Sequence, residues 1–192
     1  MTAIPASVPG TTSIASDYAA VLEPLLAVVD AVPAAGWDAA TPCEDWTARD
    51  VVVHLVETQR EFLTGRGVDL GPAPDVAADP AGALRTHAGQ VLAAVSDPTV
   101  AEESYDGFFG PTTVGETLAQ FYVWDMVVHR WDLARATGRD AGLTDAELDR
   151  IESGARSWGD ALYLDGICRP AVDVPADAPR EARVLALLGR RA

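Results

Sequence analysis

Three side chains suggest chemistry before any fold is assigned. Asp125 and His129 lie four residues apart in Phe121–Gly138, where Phe121, Trp124, Val128 and Leu133 mark a broad apolar stripe of one long helix. Residues i and i+4 share a helix face, with Cβ atoms about 5–6 Å apart. A carboxylate and an imidazole so placed can grip one metal ion from a single helix. His54 is the third group, on the apolar stripe Val51, His54, Leu55, Thr58, Phe62 of an earlier helix. Packed in one bundle, the two helices supply two imidazoles and one carboxylate to its core, a common place for metal sites built from facing helices. Three protein ligands leave a coordination position open, which is the pattern of catalytic rather than structural zinc. On an octahedral ion the same set matches the facial triad of non-haem iron(II) enzymes, and imidazole also suits nickel and copper.

Plainer readings stand beside these. A D-x-x-x-H pair arises often by chance, and a histidine on an apolar stripe is commonly a satisfied core residue. Glu57 and Asp132 follow His54 and His129 by three residues. Each can be a fourth ligand, a partner that orients an imidazole, or half of a salt bridge to Arg49, Arg130 or Arg135. Cys43 can be a ligand, a redox thiol, or a small buried residue ahead of a helix. His87, on a helix rich in Ala and Gly, reads as a surface or helix-packing residue, and Trp37, Trp46, Trp124, Trp131 and Trp158 read mostly as core. His129-Arg-Trp-Asp132 matches a kinase catalytic loop in letters only, since the chain has no lysine and no glycine-rich phosphate loop. G-x-S-x-G, P-loop and G-x-G-x-x-G motifs are also absent.

The elements that position these groups are helices. Residues 1–12, small and polar with two prolines, are expected to be loose. A first helix begins at Ile14 and carries Tyr18, Val21, Leu22, Leu25, Leu26 and Val29, with Pro24 expected to kink or bound it. Thr47–Asp50 is a capping-box variant opening the His54 helix, which Gly65 and Gly67 end. A linker at 68–79 leads to Asp79-Pro80, an N-cap with proline at N1, and to a third helix through Val95. Residues 99–112 hold Tyr105, Phe108 and Phe109 without helical period, an irregular loop or short hairpin that either roofs a pocket or packs on the surface. Thr113–Glu116 and Thr144–Glu147 are further capping boxes, opening the long helix that Gly138 stops and a last sizeable helix through Leu162. The tail carries an extended piece near 172–174 and a short helix at Arg183–Leu188. Four or five helices and almost no strand make an antiparallel bundle the economical architecture, in one domain spanning 1–192.

Composition narrows the partners. Acidic residues number 29 against 14 basic, for a net charge of −15. Nucleic-acid phosphates would be repelled. No apolar run reaches the roughly 18 residues of a membrane span, and no basic segment followed by an apolar one marks a secretory signal. Two cysteines are too few for a disulfide framework, so a cytoplasmic location with reduced thiols is expected.

Three separated motifs carry a resemblance. They are Thr41-Pro-Cys-Glu-Asp-Trp-Thr-Ala-Arg-Asp-Val-Val-Val-His54, Asp125-Met-Val-Val-His-Arg-Trp-Asp-Leu-Ala-Arg-Ala-Thr-Gly138, and the tail from Val172 through Leu185-Ala-Leu-Leu-Gly-Arg190. Together they resemble an actinobacterial family of the DinB/mycothiol-dependent maleylpyruvate isomerase metal-binding superfamily. The resemblance implies an all-α, DinB-like four-helix bundle of up-down-down-up topology, here with an extra C-terminal helix and an irregular tail. It implies a divalent metal, zinc or nickel, on His54, Asp125 and His129. It also implies mycothiol as a co-substrate, a small electrophile whose carboxylate arginines can hold, and a possible homodimer. The isomerase has Glu where this chain has Asp125, and a separate C-terminal domain that this chain does not show. A thiol-dependent S-transferase or isomerase-like activity is therefore expected, with a metal-dependent hydrolase or a non-catalytic metal-binding bundle as alternatives.

Overall fold

A computed structural model of the chain describes residues 13–43 and 45–191. The expectation for residues 1–12 lies outside them. Helix α1 spans Ile14–Asp30, α2 Ala48–Thr64, and α3 Pro80–Val95. A short α4, Pro98–Ala101, precedes an antiparallel hairpin of β1, Ser104–Gly107, and β2, Gly110–Thr113. Helix α5, Val114–Thr117, passes through a π-helical stretch at Leu118–Val123 into α6, Trp124–Ala136. Helix α7 is Asp145–Trp158 and α8 is Arg180–Ala186, with 3-10 turns at Ala34–Asp38 and Gly159–Tyr163.

Local chemistry sets these limits. Thr47 and Asp50, Thr113 and Glu116, and Thr144 and Glu147 all close reciprocal capping boxes. Asp79 Oδ1 accepts from the Gly82 amide with Pro80 at N1. Gly138, at φ +67, adopts the left-handed turn that ends α6. Pro24 does not bound α1, which runs through it. The missing N–H removes one backbone bond, and burial of Tyr18, Val21, Leu25 and Val29 holds the helix across the gap. The linker after α2 has no helix, but Leu70 and Val76 are buried. Arg60 and Gln90 donate to its Gly71 and Pro72 carbonyls.

α1 packs on α3 and α6, and α2 packs on the same two, so these four helices form the bundle, with α7 laid against α6. The centre of the molecule is α6, where every residue from Met126 to Ala134 is buried. The single apolar stripe expected there is thus corrected. The helix is enclosed by α1, α2 and α7, and its polar residues must find partners inside the protein. The helical tail begins at Arg180, three residues earlier than expected. The expected extended piece forms no strand, and Val172 instead donates its amide to the Ala186 carbonyl.

Candidate metal centre

The demand for internal partners is met residue by residue along α6. Arg130, fully buried, makes a two-pronged pair with Glu147 of α7, both bonds at 2.8 Å. Asp132, also fully buried, takes Nε and Nη2 of Arg190 on its two oxygens at 2.7 Å each. His129 gives its Nδ1 to Asp132 Oδ2 at 2.9 Å. An ionised carboxylate only accepts, so the Nδ1 proton is fixed there and Nε2 is left to face the other way.

What Nε2 faces is Asp125, whose Oδ1 lies 3.3 Å away, while the other oxygen is 2.9 Å from Nε2 of His54. The structure thus brings together His54, Asp125 and His129, with one ligand atom from each inside a span of 4.8 Å. Tetrahedral zinc with bonds of about 2.0–2.2 Å needs neighbouring ligands roughly 3.3 Å apart. The two imidazole-to-carboxylate distances are already near that separation, and two imidazole nitrogens and one carboxylate are a donor set such an ion accepts. Burial opposes charge at Asp125, but the attraction of His129 and hydrogen bonds from both imidazoles hold its carboxyl well below the usual range. The same attraction overrides desolvation at His129 and raises it. The cluster therefore favours a positive charge beside Asp125, carried by a proton on His129 or by a metal ion in its place.

A second group of possible ligands, Cys43, His129 and Asp132, also converges. It is filled differently. The Arg190 guanidinium donates to Asp132 and, at 3.2 Å, to Cys43 Sγ, while the thiol lies 3.3 Å from Asp132 Oδ2. A cation there would meet a fixed positive charge, so the position belongs to Arg190. Cys43 is half-buried in this network, and both cysteines are free thiols.

The other candidates separate cleanly. Glu57 is exposed. Asp132 orients an imidazole, and its cationic partner is Arg190 rather than Arg49, Arg130 or Arg135. His87 is wholly buried and bonds Gln59 Oε1 at 3.2 Å, as a helix-packing residue does. Four of the tryptophans are core, but Trp46 is only half-buried and walls the site. Its ring stacks on His129 at 5.8 Å and tilts against His54 at 4.9 Å. Trp46 follows Asp45, a non-glycine residue at φ +64, so a tight backbone turn presents it. Trp46 and Arg190 are the contributors that residue spacing missed. One sits in a loop and the other near the chain's end, and neither has a periodic neighbour.

These groups line a cavity of about 1000 Å³. Trp46, His54, Asp125 and His129 form one part of its wall. The hairpin tip Phe108-Phe109 and the segment Tyr163–Pro170 form others. The aromatic loop therefore lies over a pocket, although Tyr105 points its hydroxyl to Thr117 at 2.5 Å.

Two Mycobacterium tuberculosis proteins described only as uncharacterized, from strains CDC 1551 / Oshkosh and ATCC 25618 / H37Rv, are each 30% identical to this chain over 159 residues, covering 78% of its length and 82% of theirs. No solved structure matches. Residues 18–134, more than half of the chain and including all three converging ligands, match the family model of the mycothiol maleylpyruvate isomerase N-terminal domain. The chain belongs to that family, within the DinB-like superfamily.

Proposed function

We propose that the protein holds one divalent ion, zinc or nickel, through His54 Nε2, Asp125 and His129 Nε2, and uses a small thiol, mycothiol, as co-substrate in S-transfer to, or isomerisation of, a small electrophile. The observation that carries this reading is the convergence of three ligand atoms from two helices on the wall of a large open cavity. When bound, the ion supplies Lewis acidity that favours the thiolate of a coordinating thiol.

The chain's own residues do the rest. Asp125 offsets one of the ion's two charges. Asp132, clamped by Arg190, holds His129 in the tautomer that turns Nε2 toward the ion. Trp46 covers both imidazoles on one side and limits water there. The cavity gives access to the cluster, and thiol and electrophile would meet in it. Family membership supports the thiol, because the family is named for a mycothiol-dependent reaction.

The test is elemental analysis of the purified protein beside His54→Ala and Asp125→Ala. About one zinc or nickel per chain, lost in both variants, is the expected result, followed by metal-dependent transfer of mycothiol to model electrophiles. No metal after loading would overturn the reading. Ester or amide cleavage without thiol would replace it with a hydrolase.

A further inference from the structure

Large apolar side chains left in water are unusual when they cluster. Here the exposed ones among the described residues are Phe108, Phe109, Tyr163, Leu164 and Ile167. They come from two segments far apart in sequence, the hairpin tip and the stretch that begins in the 3-10 turn after α7. All five line the cavity that holds His54, Asp125 and His129. Phe108 is 78% exposed and Phe109 54%. Folding alone gives no reason to keep them there.

Behind this rim the wall is aromatic. Phe109 lies parallel to Phe121, with centroids 6.2 Å apart and planes 2° from parallel. Phe121 stacks on Trp158 at 5.0 Å, and Trp158 tilts against Trp124 at 4.7 Å. Trp124 immediately precedes Asp125. A strip of rings therefore lines the same cavity as the candidate metal ligands. Such rings prefer offset-stacked or edge-on aromatic partners.

Charge selects further. The cavity's basic side chains are Arg169 and Arg190, and Arg190 is committed to both oxygens of Asp132. Asp45, Asp125 and Asp165 line the same space in a chain of net charge −15. Away from the candidate ion, Asp45 and Asp165 outnumber Arg169, so an anionic molecule gains little from the rest of the lining. The volume, about 1000 Å³, is at the upper end for drug-sized ligands, so it has room for a thiol and a second molecule together.

We propose that the electrophile this site takes is an uncharged aromatic molecule, seated on the Phe109–Phe121–Trp158 strip under the hairpin tip and the Leu164–Ile167 segment, rather than a small dicarboxylate. The proposal rests on the reading of the site as a metal- and thiol-dependent one, but its test is separable. The probe is N-phenyl-1-naphthylamine, neutral and fluorescent when buried. It is titrated into full-length metal-loaded protein, into His54→Ala, and into Phe109→Ala and Ile167→Ser, whose exposed positions tolerate change.

Saturable one-to-one binding, weakened at least tenfold by both rim substitutions and not displaced by excess maleate, is the expected result. No saturable binding, equal binding in the rim variants, or displacement by maleate overturns it. Probe binding that strengthens on dilution also overturns it, because the rim would then be covered by a second copy of the chain. If metal is bound but the probe is not, the aromatic assignment falls and the metal–thiol reading stands. If the probe binds to protein that takes no metal, the aromatic site stands and the metal–thiol reading falls.

Discussion

Asp132 is the residue on which the candidate centre turns, since it meets His129, Cys43 and Arg190 at once. Its charge is buried completely, and a buried charge persists only when paired. Desolvation pushes its pKa up, and hydrogen bonds from Arg190 and His129 outweigh that and hold it low. Replacing Arg190 by Met therefore has two expected effects. Folding stability falls by about 3–5 kcal/mol, the usual result of stranding one member of a buried pair. Metal affinity falls about 10–100-fold, because His129 loses a fixed orienting partner. The double variant Asp132→Asn with Arg190→Met removes the stranded charge. It is expected to recover much of the stability in urea unfolding while affinity, measured against a chromophoric chelator, stays low. Recovery of both together would make the pair structural only. The three-residue spacing allowed Asp132 to orient His129, but the Arg190 clamp was not legible from it. Asp125 and His129 are one helical turn apart and so announce themselves. Asp132 and Arg190 meet across 58 positions, and no local pattern encodes such a contact.

At the scale of elements, α6 is fixed by what surrounds it. Arg130 projects from the fully buried stretch of α6 and ends on Glu147, which also accepts the Thr144 amide as the closing half of the α7 capping box. One carboxylate thus starts α7 and fastens it to α6. Glu147→Gln keeps an acceptor for the cap but leaves the guanidinium without its counter-charge. Most of a loss of about 3–5 kcal/mol is expected to remain, lowering Tm by roughly 10 °C in a chain of this size. A change below about 1 kcal/mol would show that Arg130 finds another partner. The capping boxes themselves were readable, because they are defined within four residues. The hairpin was half-readable, as aromatic residues between glycines without period. The π-helical stretch Leu118–Val123 was not, since an added residue in one turn leaves no compositional mark. It stands directly before Trp124 and Asp125, so the turn that sets their direction was hidden while the residues were plain.

For the molecule as a whole, the four-helix packing is joined near its middle by a polar relay that has nothing to do with the candidate centre. Tyr18 of α1 donates to Gln59 Oε1 of α2 at 2.7 Å, and His87 of α3 meets the same oxygen at 3.2 Å. Nδ1 of His87 is buried with no partner, so a proton added there would have no acceptor. Burial, aided by the nearby Arg60 charge, lowers the His87 pKa from 6.5 to about 4. The direction of the consequence follows from linkage. Below pH about 6.5 the unfolded chain protonates this histidine, whereas the folded chain does not until about pH 4. In that window the unfolded state binds more protons, and stability falls as pH falls. Between pH 7 and pH 5 this one group is expected to remove about 2 kcal/mol. His87→Leu leaves Gln59 Oε1 with the Tyr18 hydroxyl and has nothing to protonate. Urea unfolding at the two pH values, wild type beside His87→Leu, isolates the contribution from all the carboxylates that titrate in common. A difference between the two proteins that stays constant from pH 7 to pH 5 would mean that the bundle opens enough to charge His87 in place, and that the relay is not the rigid joint its geometry describes.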